Sequence, residues 1–181
     1  MRRYTLLSTL LLLTAFLFQY CRGPEGLPGP QGPEGPPGAE LLPAVIDVGP
    51  INFNAGNNYE AFWDIDSDLA GYESDIVLVY LHHSTENNVK VYRSLPLLVN
   101  QGAGFFQFGF DYTMYDVRFF MTGNVDLSTV SNSWTQNNVF RVVILPAENL
   151  TRKAHVDLSN YEEVVKAFGI DESKIKTVKA K

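Results

Sequence analysis

The stretch Phe105-Phe106-Gln107-Phe108-Gly109-Phe110-Asp111-Tyr112 alternates bulky apolar residues with small or polar ones. Successive side chains of an extended chain point to opposite faces. Phe106, Phe108, Phe110 and Tyr112 therefore share one face, and Gln107, Gly109 and Asp111 the other. A helix would scatter the same rings around its circumference. The segment predicts a strand with one face in a core and the other toward water.

The neighbouring segments repeat this pattern in both directions. Asp116 to Thr122 places Val117, Phe119 and Met121 on one side. Val139 to Leu145 is nearly all apolar and ends at Pro146, which cannot donate to a ladder. Upstream, Val89 to Arg93 follows Ile76 to His83 across a polar turn, and Ile76 to His83 reads as a central strand buried on both faces. Tyr59 to Ile65 is a further strand, as is Ala44 to Phe53 with an interruption at Gly49-Pro50. Asn-Asn pairs at 57–58, 87–88 and 137–138 mark junctions, because asparagine tolerates turn geometry. About seven short strands at roughly ten-residue spacing predict an all-β fold, an antiparallel β-sandwich.

The chain changes character after residue 150. Ser159 or Asn160 can cap a helix that carries Tyr161, Val164, Val165 and Phe168 at helical spacing. Gly169 is its natural stop, and a lysine-bearing tail, Lys174 to Lys181, follows. The expected organisation is a signal peptide at 1–20, a lipidated cysteine and spacer at 21–39, the sandwich at 40–150, and a C-terminal helix and tail at 151–181 packed on it.

The N-terminal segment sets the expected location. Arg2 and Arg3 precede a run of about thirteen mostly apolar residues, Leu6 to Phe18. A membrane span needs roughly twenty, so the run reads as the apolar region of a signal peptide. Cys21 follows at once and is the only cysteine of the 181 residues. Its position resembles a bacterial lipobox, with Phe18, Gln19 and Tyr20 where an aliphatic and small residues usually stand. The resemblance implies that the Cys21 thiol carries diacylglycerol, with palmitate-type chains, and becomes the first mature residue. The alternative is an uncleaved signal anchor with an incidental cysteine. A lone cysteine also argues against a disulfide framework in an exported domain.

Gly23, Gly26, Gly29, Gly32, Gly35 and Gly38 then recur at period three, spelling GPE-GLP-GPQ-GPE-GPP-G. Only glycine fits the axis of a collagen triple helix, and the prolines preset polyproline II. Five triplets make a short run. The preferred reading is a single-chain, polyproline II, collagen-like stalk, about 3.1 Å per residue and so roughly 50 Å long. A homotrimer through the Gly-X-Y segment is the alternative.

Together, Cys21, the GPxG repeats, Val77–His83 (VLVYLHH), Ser94–Leu98 (SLPLL) and Asn137–Glu148 (NNVFRVVILPAE) make the chain resemble the short collagen-like lipoproteins of Bacteroidota. The resemblance covers essentially the whole chain. It implies an outer membrane location and a lipid-anchored architecture, and it names no chemistry. It also implies that the protein partner, where there is one, is a larger outer-membrane assembly.

The net charge is −6, falling to −8 once Arg2 and Arg3 leave with the signal peptide. A chain this acidic, without a basic stripe, is a poor match for nucleic acid. No G-x-S-x-G, P-loop or G-x-G-x-x-G stands in the sequence, so no enzyme is expected. No cofactor is expected beyond the covalent lipid on Cys21. His82 and His83 are neighbours on a strand, so they point to opposite faces and do not chelate one ion together.

Asp64, Asp66 and Asp68 alternate as the ligands of calcium loops do. Leu69 and Asp75 stand where an EF-hand needs glycine and glutamate, which leaves a looser calcium site, with Glu73 or Asp75, against a solvated acidic loop. Trp63, Trp134, Tyr112 and Tyr115 stand at or near expected turns, where exposed rings stack on sugars; the competing reading is core packing. The functional expectation is a non-enzymatic outer-membrane lipoprotein whose sandwich binds another protein of the cell envelope, with a carbohydrate-binding surface module as the alternative.

Overall fold

Nine strands form in the computed structural model, which describes residues 42–66, 74–147 and 155–181. They are β1 (Ala44–Ile51), β2 (Glu60–Asp64), β3 (Ile76–Glu86), β4 (Val89–Ser94), β5 (Leu97–Gln101), β6 (Gly104–Tyr112), β7 (Asp116–Gly123), β8 (Asn138–Leu145) and β9 (Lys176–Val178). One sheet has the order β4-β3-β8-β1-β9 and the other β2-β7-β6-β5. The signal peptide, Cys21, the six periodic glycines and Asp68 lie outside the described residues, as does Glu73.

The alternating strands behave as their pattern predicts. Phe106 and Phe108 of β6 and Val117, Phe119 and Met121 of β7 are buried, and so are Phe140, Val142 and Ile144 of β8 in the opposite sheet. These side chains form one apolar core between the two sheets. The Phe119 and Phe140 rings stack across it, 4.9 Å apart at 20°. Each fully buried phenylalanine contributes about 1.5–3 kcal/mol of transfer free energy. The β6 alternation is thus the pattern on which the two sheets close.

Two expectations are corrected. Among the described residues the strands number nine and not about seven, since β5 and β9 are not foreseen in the sequence. The fold is also not wholly antiparallel, because β9 runs parallel to β1, with Ile46 beside Lys176 and Val48 beside Val178. All the other strand pairs are antiparallel.

The helix Tyr161–Phe168 has the expected ends. Asn160 Oδ1 accepts from the N–H groups of Glu162 (3.1 Å) and Glu163 (3.4 Å). Gly169 closes the helix at φ 64°, a left-handed conformation in which glycine carries no steric penalty. Tyr161, Val164 and Phe168 form a second apolar cluster with Tyr80 of β3 and Val143 and Leu145 of β8. This second layer explains why β8, at the centre of its sheet, is buried on both faces. The asparagines at 58, 87, 88 and 137 all take positive φ at the junctions their pairs mark.

Beyond the helix the tail does more than carry lysines. After β9 the Lys181 N–H donates to the Phe62 carbonyl of β2 at 2.7 Å. Val178 and Ala180 pack against the core between the sheets. Residues 176–181 therefore close one side of the two-sheet body, from the β1 edge of one sheet to the β2 edge of the other.

Candidate functional site

The two outer faces differ. That of the five-stranded sheet is covered by the C-terminal segment and holds a buried charge cluster. Asp47 of β1 stands directly opposite Arg141 of β8, and each interrupts an apolar strand. Arg141, 3% exposed, donates from Nε to Asp47 Oδ1 (2.7 Å) and from Nη2 to Oδ2 (2.8 Å). Its Nη1 donates to the Tyr161 hydroxyl (2.7 Å) and to Glu172 Oε1 (2.6 Å). The guanidinium also lies 4.4 Å from the centre of the Tyr92 ring.

Burial works against the charge of Arg141. The Asp47 carboxylate, through its hydrogen bond and its charge, together with the neighbouring Tyr161 and Tyr92, outweighs it, so the guanidinium pKa is raised above its ordinary value. Burial likewise raises the phenol pKa values of Tyr92 and Tyr161, which keeps both hydroxyls protonated. An open cavity of about 550 Å³ lies beside the cluster, between Lys90 and Tyr92 of β4 and Tyr161, Glu162 and Val165 of the helix. Arg141 already donates to three partners, so the cluster acts as a clasp that fastens the helix and Glu172 to the sheet.

The outer face of the four-stranded sheet carries no such cover among the described residues. Phe62, Arg118 and Asp111 stand in one row across β2, β7 and β6. Arg118 Nε donates to both Asp111 carboxylate oxygens, at 3.0 and 3.1 Å, and its Nη2 bonds Oδ2 as well. In the next row Phe120 lies opposite Gly109 and occupies the space a side chain there would take. A Cβ on Gly109 would sit 2.5 Å from Phe120 Cζ. The Arg118 guanidinium lies 5.1 Å from the centre of that ring.

The hairpin that joins β6 to β7 stands at the end of this sheet, and the Tyr112 ring stacks on Phe110, on the side of β6 away from Asp111. The Thr113 N–H donates to the Asp116 carbonyl at 2.9 Å. Thr113 Oγ1 donates to Asp116 Oδ1 (2.5 Å) and accepts from the N–H groups of Tyr115 (3.0 Å) and Asp116 (3.2 Å). The Tyr115 carbonyl accepts from the Ile65 N–H at 2.7 Å. This internal bonding fixes the tip while its large side chains face water: Tyr112 is 44% exposed, Met114 43% and Tyr115 69%. Large side chains held out by a pinned turn act as preformed anchors, since little entropy is lost when they bind.

The sequence-derived candidates are dispersed. Trp63 is 4% exposed and belongs to the core, so it offers no face to a sugar. Trp134 sits on the one-turn helix Asn132–Thr135, half-buried, with its ring stacked on His83 at 5.4 Å. Tyr112 and Tyr115 are brought together at the tip. The Asp64 carboxylate pairs with Lys181 Nζ and Asp66 is exposed. Among the described residues no cluster of His, Cys, Asp or Glu could hold a metal ion. Among them, too, no helix is long and apolar enough to cross a membrane.

Sequence reasoning passed over the Asp47–Arg141 pair and the Thr113–Asp116 lock. The first had a legible signal, a single charge of opposite sign inside each of two apolar strands. The second had one as well, in the threonine three places before an aspartate. No protein family, no curated protein and no solved structure matches this chain.

Proposed function

We propose that the chain is an exported lipoprotein, anchored through acylated Cys21 in the outer membrane, whose domain is a non-enzymatic protein-binding subunit of a cell-envelope assembly. In this reading residues 21–39 form a polyproline II, collagen-like stalk, and the domain beyond it is a β-sandwich with a docking hairpin. The observation that carries the binding role is the pinned β6–β7 tip, with Tyr112, Met114 and Tyr115 exposed on a fixed turn. Tyrosine and methionine are enriched in protein interfaces, and a rigid tip spends little ordering entropy on association.

The test uses the tagged full-length chain, extracted in mild detergent with its partner. Tyr115→Ala together with Met114→Ser should lower recovery of the partner about tenfold or more, as expected for losing interface anchors, while the circular dichroism stays unchanged. Recovery of the wild-type chain alone under several extraction conditions would overturn the reading. Glycan binding that is lost in the same double variant would replace it with the carbohydrate-binding alternative. Separately, Cys21→Ser should release the protein from membranes, and unchanged retention would favour an uncleaved anchor.

A further inference from the structure

The edges of the two sheets are guarded unequally. On one side of the body β9 carries Lys176 and β2 carries Glu60 and Asp64, and the tail bonds to the β2 backbone at Phe62. On the other side β4 carries Lys90 and Arg93. The remaining edge, β5, carries no charge; only its five-residue length and Pro96 just before it limit pairing there. Leu97–Gln101 pairs with β6 on one side, and on its other side its backbone meets no partner among the described residues. Between Arg93 and Asp111 the chain has no charged residue at all. Folded proteins normally blunt an open edge with charge, a bulge or a cover, because a bare edge templates another strand.

We infer that β5 pairs antiparallel with β5 of a second copy of this chain, about a two-fold axis at Leu98, and joins two four-stranded sheets into one of eight strands. The inference stands apart from the docking tip and does not depend on it. An uncharged strand can face its own copy without setting like charges against each other, whereas β4 would oppose basic residues to basic residues. Leu98 is 53% exposed and lies on the outer face, opposite Gln107. With the axis at this residue, Leu98 covers Leu98 of the second copy, and Leu97 meets Val99. Both of these already pack against the core. A five-residue edge buries less than the roughly 1,200 Å² at the lower end of stable interfaces. The pairing is therefore weak in dilute solution and grows with concentration, as on a membrane where the chains are confined.

Cys21→Ser removes the only native cysteine, so a new one reports without background. In the full chain bearing Cys21→Ser, Leu98→Cys should form a disulfide-linked dimer on mild oxidation at high protein concentration. Residues directly opposite in an antiparallel pair lie about 4.5–5.5 Å apart at Cα, within disulfide range. Glu162→Cys, on the exposed face of the helix, should cross-link at least tenfold more slowly. In sedimentation, the weight-average mass of the Cys21→Ser chain should rise with concentration toward twice the monomer, and Leu98→Lys should abolish the rise. Equal cross-linking at the two positions, or a mass that does not rise, overturns the inference. A trimer that persists in Leu98→Lys also overturns it, in favour of association through the Gly-X-Y segment. So does a Leu98→Cys cross-link in cells to a product of any mass other than the dimer.

Discussion

Arg141 and His83 illustrate how one side chain can set a measurable property. Arg141 is held on Asp47 by two hydrogen bonds inside the sheet, so truncating either member alone leaves a buried charge without its partner. Asp47→Ala should lower unfolding free energy by about 3–5 kcal/mol, whereas an apolar replacement of both, such as Asp47→Leu with Arg141→Met, should cost far less. Urea denaturation of the three proteins checks this, and a double variant as weak as the single one would sink it. His83 stacks on Trp134, and its imidazole pKa is lowered, first by burial and then by the charge of Arg93. The folded state therefore resists protonating it, while the unfolded chain takes up the proton near the usual pKa of about 6.5. Stability from this residue is complete above that pH and falls as pH drops through it toward the folded pKa. Replacing His83 by glutamine should flatten the stability profile as pH falls through about 6.5; an unchanged slope would assign the effect elsewhere.

At the scale of single elements, legibility followed locality. β6 and β7 were readable because alternation over eight or nine residues is fixed by the chain itself. The helix was readable because its apolar spacing, its Asn160 cap and its Gly169 stop agree with one another. Asn160→Ala should therefore cost about 1 kcal/mol, seen as a lower urea midpoint with an unchanged slope. A null effect would mean that packing of Tyr161, Val164 and Phe168 alone holds the helix. β5 was not readable, since it is five residues long and stands between Pro96 and Gly102. Its strand character comes from pairing with Phe105–Phe108 across a short turn. β9 was less readable still: Lys176-Thr177-Val178 has no alternation of its own and becomes a strand only because β1, far away in sequence, offers a parallel edge. The candidate site divides in the same way. Tyr112 and Tyr115 could be named from the turn they flank, but Trp63 could not be told from a surface ring until β2 was seen to face Val117 on β7.

For the whole molecule, the C-terminal residues decide how the two sheets stay closed. The Arg141 clasp fixes Tyr161 and Glu172 over one sheet. From there the chain enters the β1 edge as β9 and reaches β2 through the backbone of Lys181. Two kinds of interaction hold that last stretch. One is the exposed ion pair between Lys181 and Asp64; the other is the strand pairing together with Val178 and Ala180 against the core. Magnitudes separate them. An exposed pair contributes about 0–1 kcal/mol, while partial burial of a valine and an alanine contributes about 1–2 kcal/mol, with the β-ladder bonds added. Lys181→Ala should accordingly leave the melting temperature nearly unchanged. Deleting residues 176–181 should lower it by about 4–8 °C, taking roughly 2 kcal/mol at 2–4 °C per kcal/mol, and should speed hydrogen exchange along β1 and β2. Thermal scans of both variants, with exchange measured at Val48 and Phe62, distinguish the two contributions. If Lys181→Ala destabilises the protein as much as the deletion does, the ion pair and not the strand closes the body.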